Sequence, residues 1–119
     1  MDFTLSEEHK MLRDAVRAFA ESELEKRAWE IDRTREFPKD NFRKAGELNL
    51  AGVAVPEEWG GGGMDTVAYA IAIEEISRVC ATTGVILSVN NSLVCDPILK
   101  YGSDAQKKEH LPRITSGET

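Results

Sequence analysis

Apolar residues recur at helical spacing along most of this chain, and no segment alternates apolar and polar residues over the length of a strand. The spacing predicts a long amphipathic helix from just after Ser6 to about Asp32. Ser6 is its expected N-cap, and the two glutamates that follow favour the positive end of the helix dipole. A second helix is predicted to begin at Phe37–Pro38, with Pro38 at its first position. Three of its residues are expected to face inward: Phe42, Ala45 and Leu48.

The second half of the chain predicts further helices separated by short breaks. Val53–Pro56 is expected to be extended, because the residue before a proline avoids the α region. A glycine loop follows at Gly60–Gly63, and Asp65 is the predicted N-cap of the third helix. A break is expected at Thr82–Gly84, followed by a fourth helix to about Cys95. A further turn of helix is expected through Pro97 and stops at Gly102. A short helix, Asp104–Glu109, is expected with Ser103 as its N-cap, and the chain is expected to be irregular from Pro112. The predicted fold is an all-α bundle of five or six helices.

Charge and length narrow the functional classes. The chain has 119 residues, with 15 basic and 21 acidic side chains and a formal net charge of −6. These charges are interspersed, so the clustered lysines and arginines of a nucleic-acid site are missing. The uncharged stretch between Arg78 and Asp96 is too short and too polar for a membrane span, which favours a buried helix. The charged residues of the first ten positions do not fit a signal peptide.

Most of the reactive residue types have simple structural interpretations. Cys80 and Cys95 lie in apolar surroundings and are predicted to be free, inert core thiols. His9 and His110 lack a partner at metal-ligand spacing and are predicted to be surface residues, so no metal site is expected. The glycine loop lacks the Lys-Ser/Thr of a phosphate-binding loop and is interpreted as a tight turn.

The charged and polar pairs offer less to catalysis than they first suggest. Glu74 and Glu75 are adjacent on one helix and point about 100° apart, so they cannot converge on one atom. Glu74 is instead expected to pair with Arg78. Asn90 and Asn91 share a helix face with Ile86, Leu87 and Val94. Two interpretations stay open for this face: asparagines satisfied by nearby backbone groups, or one half-apolar wall of a ligand cavity.

Several segments, taken together, resemble the acyl-CoA dehydrogenases. The run from Leu48 to Gly63 contains Val55-Pro56-Glu57-Glu58-Trp59 followed by four glycines, as in the N-terminal domain of that family. The run Thr83–Leu93, with Ser88-Val89-Asn90-Asn91-Ser92, is similar to the short-chain, butyryl-CoA branch. The opening Phe3–Glu8 and the later Pro97–Ser103 also match in order and spacing.

The resemblance implies that residues 1–119 are the N-terminal α-helical domain of a longer enzyme, without its central β-barrel and C-terminal helical domain. By this resemblance the intact protein would be an FAD-dependent homotetrameric enzyme. It would oxidise a short-chain acyl-CoA to trans-2-enoyl-CoA and pass the electrons to an electron-transferring flavoprotein. It would be cytoplasmic in a bacterium and in the mitochondrial matrix of a eukaryote. No catalytic or flavin-binding residue is expected in this chain, and the fragment alone is expected to be inactive and free of flavin. By position, the substrate-pocket wall would comprise Ile86, Leu87, Asn90, Asn91 and Val94.

Two alternatives accompany this interpretation. One is a relative on the same scaffold, such as an acyl-CoA oxidase or a flavin-dependent nitroalkane oxidase. The other is a stand-alone helical interaction module without flavin.

Overall fold

The computed structural model describes residues 1–118, and within that range it contains helices and turns but no strand. The predicted all-α fold is therefore confirmed. Two pairs of α-helices are joined end to end by π-helical segments, so the seven α-helices form five continuous helical rods. In chain order the elements are α1 (Glu7–Phe19), a π segment (Ala20–Leu24), α2 (Glu25–Thr34), α3 (Lys39–Glu47), 3₁₀ turns (Leu50–Gly52 and Glu57–Trp59), α4 (Thr66–Val79), α5 (Ala81–Val89), a second π segment (Asn90–Cys95), α6 (Asp96–Tyr101) and α7 (Asp104–Thr115).

The first rod begins where the sequence predicts and ends slightly later. The Ser6 hydroxyl accepts a hydrogen bond from the His9 backbone amide at 3.1 Å, which confirms the N-cap. The rod continues to Thr34 and ends at Arg35, which has a left-handed backbone with φ of 61°. It is not a uniform α-helix, because the first π segment interrupts it. Local hydrophobic spacing does not reveal such an insertion.

Helix α3 differs from its prediction at both ends. Pro38 is the N-cap rather than the first helical residue. Leu48 is the C-cap and is half-exposed, so the prediction that it faces inward is wrong, whereas Phe42 and Ala45 are buried as expected. Gly46 is buried where α3 meets the end of α7: a Cβ atom there would lie 2.3 Å from the Ser116 carbonyl oxygen. The close approach of two backbones explains a glycine inside this helix.

The segment Val53–Pro56 is a turn, so the predicted extended conformation is wrong. The Val55 amide donates to the Gly52 carbonyl at 3.2 Å, and Val53 has helical backbone angles. Both valines are buried, which places their side chains in the core while their carbonyls face the glycine loop. Burial of the two side chains, worth about 1.5–3 kcal/mol each, stabilises this turn.

The later helices also shift their predicted boundaries. The chain breaks at Cys80, where φ and ψ are −141° and 97°, and Thr82–Gly84 lies inside α5. Helix α7 passes through Pro112 and ends at Thr115, six residues after its predicted end. The Thr115 hydroxyl donates to the Leu111 carbonyl at 2.9 Å, and both residues are fully buried. Packing of this last turn therefore overrides the proline.

The main core lies between α1, the first π segment, α3, α4 and α5. Small residues on α4, Ala68 and Ala72, allow the neighbouring helices to approach closely, and Ile76 fills the space below them. Val67 of the same helix is half-exposed and lies outside this core. A second cluster joins Cys95 and Leu111 beneath α6 and α7. This framework holds α5 and the second π segment at the edge of the core.

Candidate functional site

An apolar groove of about 420 Å³ runs along the outer side of α5. Its wall on the α3 side comes from Phe37 and Phe42, and the end of the described chain at Gly117 and Glu118 closes another side. The remaining lining residues are Lys39, Val85, Ile86, Val89, Asn90 and Val94. Most of the lining is aliphatic or aromatic, so the groove can accept a short hydrocarbon segment.

The groove-lining residues of α5 show how the second π segment changes the helix register. Val85, Ile86, Val89 and Asn90 follow the spacing i, i+1, i+4 and i+5 of one α-helical face. In a regular helix Leu93, at i+8, would come next. Leu93 is instead 69% exposed, and Val94 lines the groove. The π segment Asn90–Cys95 has more residues per turn than an α-helix, so the next residue on the groove side comes one position later in the sequence.

The two asparagines fasten the second π segment to the 3₁₀ turn Leu50–Gly52. The Asn90 side-chain amide donates to the Ala51 carbonyl at 2.6 Å. The Asn91 amide donates to the carbonyls of Leu50 at 3.0 Å and Leu87 at 2.8 Å, and its Oδ1 accepts from the Val53 amide at 2.8 Å. Pairing with backbone groups, one of the two interpretations drawn from the sequence, is thus present for both residues.

The five predicted pocket residues divide between two sides of the helix. Ile86, Asn90 and Val94 line the groove. Leu87 points into the main core and is fully buried, and Asn91 lies beside a separate cavity of about 200 Å³. The groove face of this helix also includes Val85 and Val89, so it is offset by one residue from the predicted face. The i, i+1, i+4, i+5 spacing that begins at Val85 was the available signal. Whether the groove holds the substrate stays a prediction.

All four backbone amides of the glycine loop donate hydrogen bonds to backbone carbonyls. The amides of Gly60, Gly61, Gly62 and Gly63 donate to the carbonyls of Glu57, Pro56, Gly52 and Val55, at 2.8–3.2 Å. The first and last of these glycines have positive φ angles, of 91° and 64°. A Cβ atom on Gly61 would lie 2.1 Å from the Val55 carbonyl oxygen. The loop is a tight turn whose amides are not free to hold a phosphate.

A buried carboxylate lies on the opposite side of α4 from the groove helix. Glu75 accepts two hydrogen bonds from Arg17, at 2.8 and 2.9 Å, and its carboxylate is 3.6 Å from Arg78. These hydrogen bonds, which outweigh the effect of burial, hold the Glu75 pKa below its ordinary value. Arg78 also donates to Glu21 at 2.8 Å. The predicted Glu74–Arg78 pair does not form among residues 1–118, because Arg78 turns to these two carboxylates instead.

Replacing Glu75 by glutamine should lower the free energy of unfolding by about 2 kcal/mol at neutral pH, because Arg17 loses its charged acceptor. Since the folded-state pKa of Glu75 is depressed, its stabilising effect is present above the unfolded-state pKa and is lost as pH falls through the folded-state pKa. The difference between wild type and Glu75→Gln, measured by urea denaturation, should therefore shrink as pH falls below the ordinary glutamate pKa of about 4.3. Glu74→Gln, at an exposed neighbour, is the control. Equal losses for both variants would contradict a specific role for Glu75.

The cysteines and histidines offer no reactive centre within residues 1–118. Cys80 and Cys95 are free and buried, as predicted, and burial raises the pKa of the Cys95 thiol to about 11. His110 is exposed as predicted. His9 is not a simple surface residue: its side chain is 17% exposed, and its Nε2 lies 3.0 Å from Asp65, the N-cap of α4. No group of three potential metal-ligating side chains occurs in this range.

Comparison with known proteins places the domain in a family. Residues 6–118 match the model described as the acyl-CoA dehydrogenase, N-terminal domain. The chain belongs to the acyl-CoA dehydrogenase family. It is 53% identical over 114 residues to the mitochondrial short-chain specific acyl-CoA dehydrogenase of Mus musculus, covering 96% of this chain and 28% of the relative. It is 44% identical over 118 residues to the short-chain specific acyl-CoA dehydrogenase of Clostridium acetobutylicum, covering 99% of this chain and 31% of the relative.

Two solved structures share the fold of this chain. A chain in the glutaryl-coenzyme A dehydrogenase glutaryl-CoA complex superposes with a TM-score of 0.92 and 39% identity, over 99% of this chain and 31% of that one. A chain in a structure described as the electron transferring flavoprotein of Acidaminococcus fermentans gives a TM-score of 0.94 and 38% identity, with the same two coverages. The present chain thus spans under a third of the length of these relatives. No helix within residues 1–118 has the length and apolar character needed to span a bilayer.

Proposed function

We propose that these residues are the N-terminal domain of a flavin-dependent dehydrogenase that oxidises a short-chain acyl-CoA to trans-2-enoyl-CoA. The observation that carries the proposal is the 53% identity to a short-chain specific acyl-CoA dehydrogenase across almost the whole chain. The groove beside α5 supports it, because an apolar groove of this size suits a short acyl segment. The short-chain character rests on sequence similarity, and the groove is the proposed site of the acyl chain.

The proposed task of the domain is to bind the acyl chain and to keep water away from it. Ile86, Val89 and Val94 supply apolar surface, and each methylene buried against them stabilises binding by about 0.8 kcal/mol. Leu87 and Asn91 would act behind this wall, Leu87 by filling the core and Asn91 by fixing the helix to the turn at Leu50. Val85 is 62% exposed and Val89 is 43% exposed. We propose that a further domain of the full-length protein covers them.

The full-length protein is proposed to use FAD, and the glycine loop of this domain does not fit a site for the flavin phosphates. The glycine loop is the segment whose composition most suggests phosphate binding, and all four of its amides donate to backbone carbonyls. We therefore place flavin binding, and the base that removes the substrate α-proton, in sequence outside this domain. Similarity to a chain from an electron transferring flavoprotein structure supports such a flavoprotein as the electron acceptor. Homotetramer formation, and a bacterial cytoplasmic or mitochondrial location as in the relatives, complete the proposal.

The test uses the purified full-length protein and the chain of residues 1–119 side by side. We expect the full-length protein to be yellow and to reduce a dye in the presence of butyryl-CoA, and the shorter chain to do neither. Val94→Phe, which narrows the groove, should lower kcat/KM for butyryl-CoA by roughly 10-fold, since about 1.4 kcal/mol of binding is lost. Val67→Phe places the same change on the exposed side of α4 and is the control. A full-length protein without butyryl-CoA-dependent dye reduction would refute the proposed activity.

A further inference from the structure

Asn90 presents an unpaired oxygen to the groove. The residue is 9% exposed and lines the groove between Ile86 and Val94. Its side-chain nitrogen donates to the Ala51 carbonyl at 2.6 Å, which fixes the orientation of the amide. No group within residues 1–118 donates to Oδ1. Every enclosed side-chain polar atom of this range has a hydrogen-bond partner, so Oδ1 is not fully enclosed. The groove is the cavity that Asn90 lines, and we infer that Oδ1 faces it.

The local structure holds this oxygen in place. Asn90 begins the second π segment, and the neighbouring Asn91 fastens the same segment to Leu50 and Val53 through its own hydrogen bonds. Rotation of the Asn90 amide would break the short bond to Ala51 and leave that carbonyl with only the Cys95 sulfur, 3.9 Å away. The acceptor is thus a fixed feature of an otherwise apolar wall.

A fixed acceptor in an apolar wall determines which acyl chains fit best. A purely hydrocarbon chain that covers Oδ1 leaves a buried acceptor without a partner, which weakens binding. A chain that carries a hydroxyl at that position donates to Oδ1 and keeps its apolar methylenes against Ile86 and Val94. We propose that Asn90 is a specificity-determining residue that favours short acyl thioesters with a terminal hydroxyl over hydrocarbon chains of equal length. This inference rests on the proposed function, which supplies the acyl-CoA thioester as the substrate class. It adds a preference for a hydroxyl at the end of the acyl chain.

Two thioesters of nearly equal length test the inference in the full-length protein. In 4-hydroxybutyryl-CoA a hydroxyl replaces the terminal methyl of pentanoyl-CoA. An apolar pocket would disfavour the hydroxyl by about 100-fold, whereas a pocket with a matching acceptor removes that penalty. We expect the ratio of kcat/KM for the hydroxylated thioester to that for pentanoyl-CoA to be about 1 or higher in the wild type. Asn90→Leu, which has a similar volume and no acceptor, should lower the ratio by roughly 10-fold or more.

Controls separate this inference from the proposed activity. Val94→Ala enlarges the groove without removing a polar atom, and it should change both thioesters alike and leave their ratio within about threefold. The dissociation constants of the same thioesters are measured in parallel, so that the preference can be scored without turnover. Preferential binding of the hydroxylated thioester without turnover would refute the proposed dehydrogenase activity but would still support the proposed role of Asn90. A wild-type ratio below about 0.03 in both measurements would overturn the inference, including where Asn90→Leu fails to fold.

Discussion

Replacing Asn91 by aspartate is expected to lower the free energy of unfolding of this domain by about 3 kcal/mol at neutral pH. The Asn91 amide nitrogen donates to the carbonyl oxygens of Leu50 and Leu87, at 3.0 and 2.8 Å. In the variant a carboxylate oxygen would face these two carbonyls, and both bonds would become repulsive contacts. The bond that Oδ1 accepts from the Val53 amide would remain. The loss of stability should therefore come only from the two hydrogen bonds that the amide nitrogen donates.

The pH dependence of this variant has a definite sign. An aspartate held against two carbonyl oxygens has a raised pKa in the folded state, because those oxygens disfavour the charged form. Its destabilising effect is largest above this raised pKa and declines as pH falls and the carboxyl becomes a donor. Denaturant unfolding of Asn91→Asp at neutral pH and near pH 4 measures the difference. Asn91→Asp should recover part of its deficit relative to wild type at the lower pH.

Asn49→Asp is a matched control for the same chemical change. Asn49 is exposed and has a left-handed backbone with φ of 63°, a conformation that asparagine and aspartate both tolerate. Its substitution should change the free energy of unfolding by no more than about 0.5 kcal/mol. Similar losses for the two variants would show that the hydrogen bonds donated by Asn91 to Leu50 and Leu87 do not stabilise the second π segment.

The sequence predicts the helices of this domain better than it predicts their joints. The amphipathic spacing of α1 and the caps Ser6, Asp65 and Ser103 are local signals, and the structure confirms each of them. The predicted proline stop at Pro112 was wrong, because burial of Leu111 and Thr115 holds the last turn of α7. Cap signals depend on residues a few positions apart, whereas this packing depends on distant parts of the chain.

The sequence predicts that the candidate site lies on a helix, but it does not predict correctly which side of that helix lines the groove. Nothing in local spacing announces the second π segment, which moves the groove wall from Leu93 to Val94. The partners of Asn90 and Asn91 lie about forty residues earlier in the chain, at Ala51 and Leu50. The structure shows the first interpretation of the asparagines, because both side-chain amide nitrogens donate to backbone carbonyls. The second interpretation, a wall of a ligand cavity, stays a prediction.

Leu87→Ala should destabilise the domain by about 2–5 kcal/mol, the usual cost of deleting a fully buried leucine side chain. Leu87 packs within the main core and does not line the groove. The space that the variant opens would lie among core side chains on the far side of the α5 backbone from the groove. In the full-length protein the ratio of kcat/KM for hexanoyl-CoA to that for butyryl-CoA should therefore stay within about twofold of wild type.

Val89→Ala is the matched substitution on the groove side of the same helix. Val89 is 43% exposed in this domain and lines the groove, so its truncation should cost less than about 1 kcal/mol of stability here. It lengthens the space available to the acyl chain, and the hexanoyl-to-butyryl ratio should rise by roughly threefold or more. The two variants thus have opposite effects. Leu87→Ala lowers stability and leaves chain-length selectivity unchanged, whereas Val89→Ala changes selectivity with little loss of stability. A rise of about 10-fold in the ratio for folded, flavin-loaded Leu87→Ala would contradict this result and support the pocket role that the family resemblance implies for Leu87.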